Sequence, residues 1–108
     1  MPDFSEFADQ LKSEIIDLAE SRLDNLKEEA LEDGKQFVNE AEDDLKEWTE
    51  LLEEGELTKS GFESLVKGKK DLAKMESLKQ AGLAAVEAQK FRDALFDRIV
   101  GTAGEVFL

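Results

Sequence analysis

The chain has 108 residues, and its 27 acidic residues against 14 Lys and Arg give a formal net charge of −13. This length suffices for one small domain. Because the chain contains no Cys, His or Tyr, disulfides, thiolate chemistry and histidine-dependent catalytic or metal sites are excluded, and we expect no enzyme, no cofactor and no metal.

Charge and hydropathy also limit the expected partners and location. A strongly acidic chain should be repelled by nucleic acid, since phosphate binding depends on clustered Lys and Arg. The N-terminus lacks the apolar core of a signal peptide, and no apolar stretch approaches the roughly 20 residues of a membrane span. We therefore expect a cytoplasmic protein without a nucleic-acid partner, and we do not expect a membrane partner.

Apolar residues recur every eleven residues through the first half of the chain. One row is Phe4, Ile15, Leu26, Phe37 and Trp48, and the other is Ala8, Ala19, Ala30, Ala41 and Leu52. Eleven residues are almost three helical turns, so each row stays on nearly one side of a helix. With Asp3 as N-cap and Gly55 as the C′ residue, the pattern predicts one helix over residues 3–54, about 75–80 Å long.

Gly34 is the main objection to that continuous helix, because Asp33-Gly34 offers an alternative stop that would give two shorter helices. Both rows pass Gly34 without a change of phase, which favours continuity. Inside a helix Gly34 costs about 1 kcal/mol relative to Ala. It also leaves a gap where another backbone can approach closely.

The second half is predicted to return along the first. Residues 55–61 form the connecting turn, in which Thr58 or Ser60 can cap the next helix. A returning helical segment follows over residues 62–100, with a break at Gly68 as an open alternative. Residues 101–108 are predicted to be an apolar tail, because Gly101 and Gly104 weaken helical order.

The predicted fold class is all-α, a long antiparallel helical hairpin that makes residues 1–108 a single domain. Residues 1–58 carry a net charge of −15 and residues 59–108 a net charge of +2, which favours pairing of the two halves. One returning helix cannot cover all the large apolar residues. We therefore predict a homodimer with a four-helix-bundle or coiled-coil-like assembly.

Two charged clusters are candidates for ligand binding. The acidic cluster is Glu40, Asp43, Asp44 and Glu47, and the basic cluster is Lys67, Lys69, Lys70 and Lys74. Carboxylates along a straight helix point in diverging directions and cannot surround one ion, so we interpret the acidic cluster as a solvated face rather than a cation site. The basic cluster could bind phosphates or anionic headgroups, but pairing with the acidic helix is the favoured interpretation.

The predicted function rests on the apolar residues. Trp48 continues the first row, while the C-terminal helix is apolar on more than one face, as expected of a buried bundle helix, a protein-binding surface or a membrane-interface segment. We predict a non-enzymatic interaction or scaffold protein that acts through oligomerisation and protein binding. Its interaction residues would be Trp48, Phe91, Leu95, Phe96 and Ile99. The alternative is a peripheral lipid- or membrane-associating amphipathic helical protein.

Overall fold

The first helix begins where the sequence predicts. The computed structural model describes residues 3–108, so residues 1 and 2, the start of the predicted domain, lie outside the described part. Helix α1 spans Phe4–Arg22. The Asp3 carboxylate accepts a hydrogen bond from the backbone N–H of Glu6 at 2.9 Å, which satisfies one of the free donors at the helix start.

The predicted helix over residues 3–54 is interrupted at residues 23–26. Leu23 leaves the helical conformation with φ −136° and ψ 52°, and Asp24–Leu26 form a 3₁₀ turn. Helix α2, Lys27–Glu40, then returns along α1. The longest dimension of the molecule is 42 Å, whereas an uninterrupted helix would measure about 75 Å or more. The prediction of a single rod is wrong, since the chain reverses direction after Arg22.

Helical structure does continue through Gly34, as predicted, because α2 contains it. Helix α3, Glu42–Glu53, follows after Ala41. Gly55 adopts a positive φ of 77° just after α3. Helix α4, Lys59–Lys67, is capped by Thr58, whose hydroxyl accepts from the Gly61 N–H at 3.0 Å. The connecting turn is therefore shorter than the predicted 55–61.

The returning segment is divided into three helices. The break at Gly68 is present, since α4 ends at Lys67. A 3₁₀ turn at Lys70–Leu72 precedes α5, Glu76–Gln80, and a last helix, α6, spans Ala85–Phe107. The predicted apolar tail over residues 101–108 is wrong, because α6 continues to Phe107. Burial of Thr102 and Ala103 offsets the low helix propensity of the neighbouring glycines.

Helix α6 packs against both α1 and α4. It lies antiparallel to α1, as shown by Arg98 with Glu14 at 2.8 Å and by the Phe7 and Phe107 rings, whose centroids are 5.8 Å apart. Within residues 3–108 the structure has six α-helices and no strand, so the all-α prediction is confirmed. The large apolar residues that seemed to require a second chain are mostly buried inside this one.

Candidate functional site

The five predicted interaction residues all lie in the core. Trp48 is 9% exposed, and Phe91, Leu95, Phe96 and Ile99 are at most 2% exposed. Phe96 packs against Phe37 with ring centroids 5.1 Å apart. Because α6 is covered by α1 and α4, its apolar faces are used within the chain. Within the single folded chain, all five side chains are buried.

The apolar residues that do remain exposed are few. Among the described large apolar residues these are Ile16, Leu65, Val86 and Leu108. They lie on α1, on α4 and near the two ends of α6. Single exposed apolar residues are normal on a protein surface and identify no site by themselves.

A surface groove between α1 and α2, here called the hairpin groove, is the strongest candidate binding surface. Its volume is about 290 Å³. It is lined by Ala8, Leu11, Lys12, Ile15, Lys35, Val38 and Asn39. Exposed Ile16 lies one helical turn after Lys12, and half-buried Leu31 lies one turn before Lys35, so both continue the lined faces of their helices.

Small residues bring the two walls of the hairpin groove together. Ala19 and Ala30 are fully buried, and Ala41 is 1% exposed. A Cβ atom added to Gly34 would lie 2.9 Å from Ile15 Cγ2. The absence of a side chain at Gly34 thus permits the close helix approach that the sequence suggested. The helices concerned are α1 and α2 of one chain.

The two lysines that line the hairpin groove have no ion-pair partner in the part of the chain that the structure describes. No ion pair within residues 3–108 involves Lys12 or Lys35. On the other side of α1, by contrast, Arg98 binds both Glu14 and Asp17, at 2.8 and 2.9 Å. Those hydrogen bonds, led by the one to Asp17, raise the pKa of Arg98. The hairpin groove therefore combines an apolar floor with two lysines that have no carboxylate partner in the described chain.

Asp33 is a buried charged residue with a structural role. It is 3% exposed, and its two oxygens accept hydrogen bonds from the backbone N–H groups of Ser77 and Leu78, at 3.0 and 2.9 Å. These donors lie in the first turn of α5, so Asp33 caps a helix other than its own. The sequence drew attention to Asp33 as part of a helix stop, and the structure shows an interhelical cap.

The predicted basic cluster is divided between two environments. Lys67 binds Glu63 on its own helix at 2.9 Å, and the hydrogen bond from Lys67 lowers the pKa of Glu63. Lys69 binds Asp44 of the acidic helix α3 at 2.9 Å, as the favoured interpretation required. Lys70 and Lys74 make no ion pair in the described chain and line a second hollow of about 210 Å³.

The acidic cluster shows no convergence on a metal site. Across residues 3–108 the structure contains no group of three acidic side chains arranged to hold a metal ion. Asp44 instead pairs with Lys69, and Glu40 and Glu47 are exposed. In the same described range, no helix has both the length and the apolar character needed to cross a bilayer.

Comparison with protein-family models, curated proteins and solved structures gives no significant match.

Proposed function

We propose that this chain is a non-enzymatic helical module that binds another protein through the hairpin groove. One observation carries the proposal: an apolar groove is flanked by Lys12 and Lys35, which lack carboxylate partners in the described part of a chain of net charge −13. The lack of His and Cys in the sequence supports a binding role over a catalytic one.

The chemistry of the hairpin groove suggests the kind of partner. Two antiparallel helices with a shallow apolar seam suit an amphipathic helix, which places residues three or four positions apart into such a groove. Lys12 and Lys35 favour Asp or Glu beside those apolar residues, since opposite charges raise the association rate and select the orientation. The small size of the hairpin groove suits a weak, transient contact.

Exposed apolar surface, the reason for which the sequence predicted a homodimer, no longer supports that prediction. The apolar surface that suggested a four-helix bundle is buried within one chain. A second copy remains an occupant of the hairpin groove to be tested, since this chain also carries acidic amphipathic helices. We favour protein binding over the lipid- or membrane-associating alternative, because α1 and α6 turn their apolar faces to the core.

Selection of helical peptides from a displayed library tests the proposal with a defined probe. We expect enriched sequences with apolar residues at helical spacing and at least one flanking Asp or Glu. Binding should weaken at least about tenfold in the double variant Lys12→Glu/Lys35→Glu, because the charge that attracts the acidic residue is reversed. The control variant Lys67→Glu/Lys90→Glu makes the same change of charge on α4 and α6 and should bind normally.

Two outcomes would reject this assignment. One is the absence of any enriched peptide, and the other is equal binding by the hairpin-groove variant and its control. Sedimentation velocity of the wild type addresses the second copy: a dimer dissociated by Lys12→Glu/Lys35→Glu but not by the control would identify this chain as its own partner.

A further inference from the structure

A second hollow is lined by several positively charged side chains from the second half of the chain. Here called the lysine pocket, it lies between residues 70–79 and the first turns of α6 and has a volume of about 210 Å³. Its polar lining residues are Lys70, Asp71, Lys74, Lys79, Gln89 and Arg92. Four cationic side chains therefore surround one hollow with a single carboxylate in its lining.

The lysines of this pocket differ from most others in the chain. Elsewhere Lys27, Lys46, Lys67, Lys69 and Lys90 each lie beside a carboxylate. Lys70, Lys74 and Lys79 take part in none of the ion pairs found in residues 3–108, although the chain has a large excess of acid. Lysines that line one hollow without an ion-pair partner are available to bind an anion.

The backbone that carries these lysines is anchored. Ala73, Met75 and Ala88 line the floor of the lysine pocket and are at most 5% exposed. Met75 adopts the left-handed conformation, with φ 54°, which costs a non-glycine residue free energy unless the surroundings hold it. Asp33 provides such support by binding the two N–H groups at the start of α5. Lys74 and Lys79 therefore stand on either side of a restrained segment.

We propose that the lysine pocket binds a phosphate-type oxyanion. Its volume is below the roughly 300–1,000 Å³ of ordinary small-molecule sites, so it suits one anionic group rather than a nucleotide. Lysines bind phosphate as mobile point charges, and Arg92 and Gln89 supply N–H donors with more defined directions. Arg92 already binds Asp93 at 3.0 Å, so its positive charge is shared between that carboxylate and a bound anion.

Two acidic residues oppose the anion and help to define its charge. Asp71 lines the lysine pocket, and Glu76 lines a neighbouring hollow together with Lys74. The four cations still exceed these two acids, and a phosphate group offers their N–H donors more acceptor oxygens than a carboxylate does. The shared chemistry is that of a phosphate monoester, either as a free small anion or as the headgroup of a phospholipid.

Amide NMR spectra of the ¹⁵N-labelled protein provide the test, with inorganic phosphate titrated against sodium chloride at constant ionic strength. We expect saturable shifts confined to residues 70–79 and 88–92. The variant Lys74→Gln/Lys79→Gln should weaken binding at least about tenfold, because it removes two of the charge-assisted contacts. The control Lys27→Gln/Lys46→Gln removes the same charge at residues that do not line the lysine pocket and should titrate like the wild type.

Vesicle flotation separates the two sources of the anion. Phosphatidylcholine vesicles with and without phosphatidic acid serve as probes for the full chain. Retention that requires phosphatidic acid and is lost in Lys74→Gln/Lys79→Gln would identify a lipid headgroup, whereas phosphate binding without retention would identify a free anion. The proposal fails if neither probe binds, or if binding is the same in the pocket variant and its control.

Discussion

Asp33 and Gly34 are neighbours in α2 with entirely different roles. Asp33 reaches from α2 to the first turn of α5, while Gly34 lies against Ile15 of α1. The sequence marks this dipeptide as a possible helix stop. Neither role could be predicted, because the partners of Asp33 lie 44 and 45 residues further along the chain, and the partner of Gly34 depends on the reversal after Arg22.

Replacement of Asp33 should destabilise the fold measurably. In Asp33→Ala the N–H groups of Ser77 and Leu78 lose their acceptors, and a buried donor without a partner costs about 1–3 kcal/mol. We expect a loss of about 2–3 kcal/mol in chemical denaturation, and faster amide exchange at Ser77 and Leu78. Asp33→Asn keeps one acceptor oxygen and should lose less. Glu32→Ala, at an exposed neighbour, should change stability by less than about 0.5 kcal/mol; an equal loss there would contradict the capping role.

Gly34→Ala tests the close approach of α1 and α2. The new Cβ would lie 2.9 Å from Ile15 Cγ2, and Ile15 is buried, so overpacking costs about 1–3 kcal/mol. A gain of up to about 1 kcal/mol in helix propensity only partly offsets it. We expect a net loss in the free energy of unfolding. Ile15→Leu removes the Cγ2 branch at constant volume and should reduce the cost of Gly34→Ala in a double-mutant cycle; strictly additive losses would exclude this contact.

At the level of whole helices, the turn at residues 23–26 explains why the eleven-residue rows misled. Seven of the ten row residues are buried and three, Phe4, Ala8 and Leu26, are half-buried, so the rows mark residues that face the core on both sides of the turn. Asp24 and Asn25 carried the missed signal, since adjacent Asp and Asn bind their own backbone in turns and weaken helices. Gly34, the more obvious breaker, is tolerated because its lack of a side chain is needed for packing.

Spin labels can measure the reversal directly. Ser13 and Gln36 are exposed, and 23 residues separate them in the chain. A continuous helix would hold these positions about 35 Å apart, whereas paired helices with axes about 8–10 Å apart place them side by side. The chain has no Cys, so Ser13→Cys/Gln36→Cys gives two defined label sites. We expect a distance below about 25 Å between the two labels by double electron–electron resonance. A peak near about 35 Å would support the continuous helix instead.

The candidate sites could be predicted only in part from the sequence, because chain reversals bring their residues together. Lys70 and Lys74 belonged to the predicted basic cluster, but Lys79 and Arg92 join them only because α5 and α6 fold back over that segment. Lys12 and Lys35 gave no sequence signal, because they become neighbours only through the hairpin. The five predicted interaction residues, Phe91 among them, are buried in the core, because apolarity alone does not separate a core residue from a binding residue.

The whole molecule closes its core within one chain and leaves its excess charge on the outside. Buried apolar residues from all six helices form one cluster, and the molecule measures 42 × 23 × 19 Å. Most acidic residues have no cationic partner in residues 3–108. Since exposed ion pairs contribute only about 0–1 kcal/mol each, repulsion among the remaining carboxylates should dominate the electrostatic free energy of folding.

Salt should therefore stabilise this protein. Between about 0.01 and 0.3 M NaCl the screening length falls from about 30 Å to well below 10 Å, which weakens the long-range repulsion more than the short ion pairs. We expect Tm to rise by about 5 °C or more, equivalent to roughly 1 kcal/mol for a domain of this size. Calorimetry or circular dichroism measures this change in Tm.

Three acidic residues of the α3 region, Glu47, Glu50 and Glu54, are exposed and have no ion-pair partner in the described chain. Changing all three to Gln should raise Tm at low salt and flatten the salt dependence, because less repulsion remains to be screened. A Tm that falls with added salt would show instead that attraction within ion pairs, such as Arg98 with Glu14, contributes more to stability than the repulsion among unpaired carboxylates costs.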